Sequence, residues 1–396
     1  MSIRRTVYVT TALVAFALGL SVGIAIPVYI VPAPLVNSTS RESTPLPLRQ
    51  ADKFDSVSFV PSDWVKPPPA APRVVREDDG LVEGVFWSER VEQALPTGFG
   101  EPEAERWRRF VKSTPVIKVE EGCGRMQNRL LTFEDGTKAC CRYRQNTDQI
   151  QGELFSFYLG RLLGLNNLAP SSLAVIRPRD VVWANVRPQI SLAQWVEDRA
   201  VVLTKYIEGL EPAQIPSPLR NASRRLHPPD VSAAKPGKEA FVELAQWSDL
   251  IVFDYLTANL DRIVNNLYNL QWNPGMMEAP AHNLARQAGS RLLVFLDNES
   301  GLLHGYRLLD KYESYHSVLL DALCVFRRST VDVIDRLRKD NSVGRLLNGN
   351  LLDFDDREII PGLPEKSVKI LNDRLNRVHD QVEWCKKQYS DYNGVR

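Results

Sequence analysis

Leu260–Trp272 reads LDRIVNNLYNLQW, and Arg291–Ser300 reads RLLVFLDNES. The first stretch places Asp261 at the end of a helical pattern and Asn266 five residues later. The second breaks a tightly apolar run with Asp297. LYNLQW alternates in polarity, as a half-buried strand does, and RLLVFL is an apolar run of strand length. In an antiparallel hairpin the start of one strand lies beside the end of the other. That pairing sets Asn266 next to Asp297, with Asp261 at the mouth of the same cleft. A carboxylate at such a strand end is costly to bury unless a cation or donor receives it. Helix caps and turns would also use these residue types, but the break in the apolar run favours a site.

Asp, Asn and Asp are hard oxygen ligands or proton acceptors, suited to Mg²⁺ or Mn²⁺ rather than zinc. Phosphoryl transfer divides its labour in this way. One carboxylate orients or deprotonates the acceptor hydroxyl, while a carboxylate and an amide hold the metal on the nucleotide phosphates. The spacing from Asp261 to Asn266 equals that of the D-x-x-x-x-N loop of protein kinases.

A cation for the phosphates, paired to a helical glutamate, is then expected upstream. The turn signals GCG and EDG split PVIKVEEGCGRMQNRLLTFEDGTKACCRYR into three antiparallel strands, Val116–Glu120, Arg129–Phe133 and Lys138–Tyr143. The following DQIQGELFSFYLGRLLGL is apolar nearly all round and reads as a buried helix carrying Glu153. On the third strand the cation is Arg142, with Arg144 pointing the same way two residues on. Arg stays charged and can hold a carboxylate and a phosphate oxygen together. No full G-x-G-x-x-G loop is present, and EGCGR offers only Gly122 and Gly124 in a short turn.

The 396 residues suffice for two lobes after any tail. A formal net charge of +1 implies neither a nucleic-acid partner nor a strongly acidic one. No charge occurs between Arg5 and Arg41, and the apolar stretch inside that window is long enough to cross a bilayer. Arg4 and Arg5 before it favour a cytoplasmic N-terminus, hence a type II anchor rather than a cleaved signal peptide. The expected organisation is a tail (1–5), a transmembrane signal anchor (6–31), a Pro-rich luminal stem (32–80), a small β-rich lobe with one helix (81–210) and a larger, mainly helical lobe (211–396). LVEGVFWSERVEQALPTGF is read as a helix leading the small lobe, and AVVLTKYIEG as a strand. The larger lobe is read as helices over Glu239–Asn259, Tyr315–Arg338 and Glu365–Tyr389. Five cysteines without a CxxC pair argue against zinc, and in an oxidising lumen four can form two bridges. Cys123 with Cys140 or Cys141 would staple a hairpin, and Cys324 with Cys385 would tie two C-terminal helices. Of the sequons at Asn37, Asn221 and Asn298, only Asn221 is expected to be modified.

NRLLTFEDGTKACCRYRQNTDQIQGELFSFYLGRLLGL, FDYLTANLDRIVNNLYNLQW and LVFLDNESGLLHGYR together resemble the four-jointed box proteins. These are Golgi kinases related to the secretory-pathway casein-kinase-like enzymes, and the resemblance runs from about Leu81 to the C-terminus. It implies an α+β, atypical two-lobed kinase fold and Golgi membrane topology with a luminal catalytic domain. It implies transfer from ATP to Ser or Thr, with cadherin ectodomains of Fat and Dachsous type as substrates in planar polarity and growth control. By the same resemblance Asp261 matches the catalytic Asp, Asp297 the metal Asp of the DNE motif, and Glu153 the helix Glu. Arg142 in place of the usual Lys keeps a pseudokinase in view, and cleavage in the Pro-rich stem would make the chain a shed extracellular signalling ligand.

Overall fold

Alternation along Lys138–Tyr143 sends Ala139, Cys141 and Tyr143 into an apolar core and leaves Cys140 and Arg142 on the opposite face. That division of faces makes the sheet both the roof of a cleft and the wall of a core. The computed structural model describes residues 80–220, 225–233, 238–350 and 359–390. The expected tail, membrane anchor and stem up to residue 79, with Asn37 and Asn221, lie outside the described residues. Among the described residues no helix is long and apolar enough to cross a membrane.

The described chain opens with a hairpin of β1 (Leu81–Val82) and β2 (Phe86–Trp87). This corrects the helix expected there. Glu83 and Gly84 take left-handed φ values of 48° and 74°, which no helix accommodates. Only Glu89–Glu92 is helical. Phe86 and Trp87 are buried against the larger lobe. The Trp87 amide donates to the Phe326 carbonyl at 2.9 Å, and its indole donates to Ser248 at 3.2 Å. The segment assigned to the small lobe thus packs on the other one.

Helix α1 (Glu101–Ser113) precedes β3 (Val116–Glu121), β4 (Arg129–Phe133) and β5 (Lys138–Tyr143), which fall within one residue of the expected strands. Helix α2 (Thr147–Leu162) starts where the Asn146 side chain accepts the Asp148 amide, and it is buried from Ile150 to Gly160. Strands β6 (Ser171–Val175) and β7 (Ala200–Lys205) complete an antiparallel sheet of order β3-β4-β5-β7-β6. Trp107 of α1, Leu131, Phe133, Cys141 and Trp195 pack one face of it. α1 and β6 have no counterpart in the sequence reading.

The larger lobe follows with β8 (Leu210–Pro212), α3 (Lys238–Thr257), α4 (Ile263–Asn269), β9 (Leu284–Gln287), β10 (Leu293–Phe295), α5 (Leu309–Asp321), α6 (Arg328–Lys339) and α7 (Glu365–Gln388). The hairpin expected between LYNLQW and RLLVFL does not form. Ile263, Val264 and Leu267 are buried at helical spacing, and Tyr268 packs on Tyr312 and Tyr315 of α5 at 5.2 and 5.8 Å. The 3.6 period therefore prevails over the apparent alternation, and β10 pairs instead with β9, Phe295 opposite Leu284. The single helix expected over Tyr315–Arg338 is two. Between them the Cys324 amide donates to the Leu226 carbonyl at 2.9 Å and the Phe326 amide to Val85 at 2.8 Å. Disulfides join Cys123 to Cys140 and Cys324 to Cys385, leaving Cys141 buried as a thiol. Cys324 lies in the interruption, so its bridge ties a connecting segment, not a helix, to α7.

Candidate active site

Because β5 alternates, Arg142 leaves the core side of the sheet and enters the cleft, where three carboxylates meet it. Its Nε lies 3.4 Å from Glu153 of α2 and its Nη1 lies 2.9 Å from Glu299, with a further bond to Asp297 just past β10. Burial opposes the guanidinium charge, but Glu153, Asp297 and Glu299 outweigh it and hold Arg142 above its ordinary pKa. Burial conversely raises the Glu153 carboxyl, with Arg142 pulling the other way. The expected pairing of a strand Arg with a helix Glu is present.

The DNE turn is held from three directions. Asp297 itself takes a left-handed backbone, φ 54° and ψ 65°, a conformation Asp tolerates better than most residues. Arg262 is wholly buried and pairs with Asp254 of α3. Its other donors reach the Asn283 carbonyl at 3.1 Å, the Leu296 carbonyl at 2.9 Å and the Asn298 side chain at 2.5 Å. From above, α2 approaches at Gly152, where an added Cβ would sit 2.6 Å from the Glu299 carbonyl oxygen and 3.0 Å from that of Gly301. Gly152→Ala should therefore push the helix and turn apart and cost about 1–3 kcal/mol. Urea denaturation measures this, and an unchanged midpoint would remove Gly152 from the account.

Glu299 is 1% exposed and accepts more charge than any other acid near the cleft. Arg144 reaches it at 2.7 Å, Arg142 at 2.9 Å, Arg125 at 3.0 Å and the Gln149 amide at 3.4 Å. Asp261 completes the group. Its amide donates to Asn259 Oδ1 at 3.0 Å, and the Ser300 hydroxyl donates to the same oxygen at 3.0 Å, beside the Asp261 carboxylate. Burial raises the Asp261 pKa, the Ser300 hydroxyl lowers it, and the nearby Asp297 charge raises it again.

Behind these charges runs a slot between the lobes. Phe157, Leu168, Ala169, Ile207, Leu210 and Phe295 give it apolar walls. Arg142, Glu153 and Asp297 also line it, with Cys123 and Gly124 of the β3–β4 turn. Apolar walls with a few convergent polar groups describe a ligand site. A flat ring in the slot would place an anionic tail among cations and acids. Among the described residues no three His, Cys, Asp or Glu side chains form a ready metal cage. Mg²⁺ in nucleotide sites is held by one or two carboxylates plus the phosphates themselves. Asp297, 23% exposed and directed at Arg142, fits that partial ligand set.

The sequence profile described as the four-jointed box protein middle domain matches residues 102–388. The chain belongs to the four-jointed box family. The extracellular serine/threonine protein kinase four-jointed of Drosophila melanogaster is 49% identical over 367 residues, covering 80% of this chain and 63% of that protein. Four-jointed box protein 1 of Homo sapiens is 39% identical over 318 residues, covering 79% and 72%. The chain thus spans less than two thirds of the fly relative's length. Among solved structures, hydra Fam20 with sugar aligns with a TM-score of 0.51 at 15% identity, over 80% of this chain and 95% of that one. At that identity the likeness is one of fold. The two-lobed, kinase-like α+β architecture expected of a four-jointed box protein is the one observed.

In this chain Asp297, Glu153 and Arg142 come together in the cleft and Gly124 lines it, while Asp261 lies near Asp297 but outside the lining. Gly122 does not line it and packs instead on Leu130. Arg144 is a correction: it lies past the end of β5 and outside the lining. It braces Glu299, Asn128 and the Tyr143 carbonyl. Asn266 is a second. The expected hairpin would set it beside Asp297, but that hairpin does not form, and Asn266 is fully buried in α4 with its amide donating to the Met276 carbonyl at 2.8 Å. It is absent from the cleft lining, so the geometry invoked for its metal role does not hold. Sequence reasoning missed Glu299, Arg125 and Arg262. Glu299 had a signal, a second acid two residues after the first at the end of an apolar strand. Arg262 had none, since an Arg beside Asp261 reads as solvated.

Proposed function

We propose that the chain is a secretory-pathway protein kinase that transfers the terminal phosphate of ATP to Ser or Thr, using Mn²⁺ or Mg²⁺. The observation that carries the reading is the meeting of Arg142, Glu153 and Asp297 in the lining of an apolar slot, with Asp261 beside Asp297. Asp297 would hold the metal, which neutralises phosphate charge when bound. Arg142, steadied by Glu153, would hold phosphate oxygens. Asp261 would orient the acceptor hydroxyl. As its oxygen bonds to the terminal phosphorus and the bond to the bridging oxygen breaks, the hydroxyl proton passes to Asp261 and ADP leaves. Cadherin ectodomains of Fat and Dachsous type are the proposed acceptors, and a type II Golgi anchor is the proposed setting.

The test is phosphate transfer to a cadherin ectodomain with each metal and with EDTA. Metal-dependent labelling of Ser or Thr supports the reading, and its absence with both metals defeats it. Arg142 in the usual Lys place favours one second reading. Metal-dependent ATP binding without transfer to any acceptor would make the chain a pseudokinase.

The ionised Asp261 is the active form, so activity should be lost as pH falls through its raised pKa. The Ser300 hydroxyl favours that ionised form. Ser300→Ala should therefore move the acid limb of the pH–rate profile to higher pH, leaving the plateau above it nearly intact. A limb that stays in place would separate Asp261 from the titration.

A further inference from the structure

We propose that Arg125, at the tip of the β3–β4 turn, is the residue that clamps the terminal phosphate of the bound nucleotide, taking the part that a glycine-rich loop's amides would otherwise play. The inference rests on the kinase reading above. The turn between Glu121 and Arg129 spans the cleft mouth, with Cys123 and Gly124 both in the lining. From it the Arg125 guanidinium reaches down to Glu299 at 3.0 Å, and it lies close enough to Asp261 for its charge to act on that carboxylate. It therefore stands over the place where the acceptor hydroxyl and the last phosphate would meet.

The three guanidiniums on Glu299 are not equivalent. Arg142 is 12% exposed and also holds Glu153 and Asp297, while Arg144 is 5% exposed and also holds Asn128 and a backbone carbonyl. Arg125 is 52% exposed, and Glu299 keeps two other guanidinium partners without it. A phosphate entering the cleft can recruit Arg125 without leaving a buried acid unpaired. Guanidinium and phosphate make parallel, charge-assisted hydrogen bonds, which suits a terminal phosphate with free oxygens.

The backbone of the turn is held, with the Arg125 carbonyl accepting the Asn128 amide at 2.9 Å, while the side chains at its tip stand in the open. The Cys123–Cys140 disulfide fastens it to β5, the Asn128 amide donates to the Cys123 carbonyl at 2.7 Å, and the Trp195 indole donates to the Gln127 carbonyl at 3.1 Å. At the tip Gly124 has a left-handed φ of 86° with nothing within 4 Å of an added Cβ, and Met126 is 88% exposed. A small swing of one side chain, not a loop rearrangement, completes the clamp.

The test is calorimetric affinity of the full chain, with Mn²⁺, for a non-hydrolysable ATP analogue and for AMP, in wild type, Arg125→Ala and Arg125→Lys. The expected result is roughly a tenfold or greater loss for the ATP analogue in Arg125→Ala, the scale of one charged hydrogen-bonded contact. AMP affinity should be unchanged, and Arg125→Lys should recover part of the loss. Equal losses for both ligands, or none, would overturn the clamp while leaving the kinase reading standing. A wild-type chain that binds no nucleotide would overturn both.

Discussion

Asp297→Asn is expected to abolish measurable phosphate transfer, a fall of about a thousandfold or more if both metal charge compensation and phosphate positioning are lost. The substitution keeps the side-chain shape and the left-handed backbone, which Asn also tolerates. It removes the charge that faces Arg142. The fold should survive, because Arg142 retains Glu153 and Glu299. Transfer assays beside a thermal melt separate the two effects. Loss of activity with an unchanged melting temperature is the expected pair of results. Retained activity would move the metal to other residues.

Glu299→Gln is expected to destabilise the protein itself, by about 3–5 kcal/mol, the cost of leaving buried charges without their partner. Arg142 and Arg144 are both mostly buried and both direct nitrogens at this carboxylate. The loss should appear as a lower denaturant midpoint, and a double substitution of Glu299 and Arg144 should cost less than the sum of the two singles. Additive costs would mean that the pair does not act as a unit. The contrast between neighbours is informative. Asp297, 23% exposed, is available to a ligand, while Glu299, 1% exposed, holds the guanidiniums in place.

Where local periodicity and burial agree, the sequence is legible. The strands over 116–143 and the helix bearing Glu153 follow from alternation, turn residues and an all-round apolar surface. So do Arg142 facing Glu153 and the disulfide alternatives that include Cys123–Cys140. Asp261 and Asp297 are legible as neighbours, although the hairpin expected to join them is absent. The misreading has a physical source. In LYNLQW a six-residue alternation is compatible with either period, and the decision belongs to Tyr268 and its partners on α5. At the chain's other end the error is reversed. LVEGVFW looks helical until Gly84 and the docking of Trp87 on Ser248 decide for a hairpin. Long-range ties such as Arg262 to Asn298 leave no local trace, which is why the scaffold under the DNE turn could not be read.

The most direct test of the central claim is a crystal structure of the chain with ADP and Mn²⁺. The ion should be bound by Asp297 and phosphate oxygens, with Arg142 turned from Asp297 to the phosphates and the adenine between Leu168, Ile207 and Phe295. An ion bound away from this cleft, or Asp297 still paired to Arg142 with nucleotide present, would contradict the account.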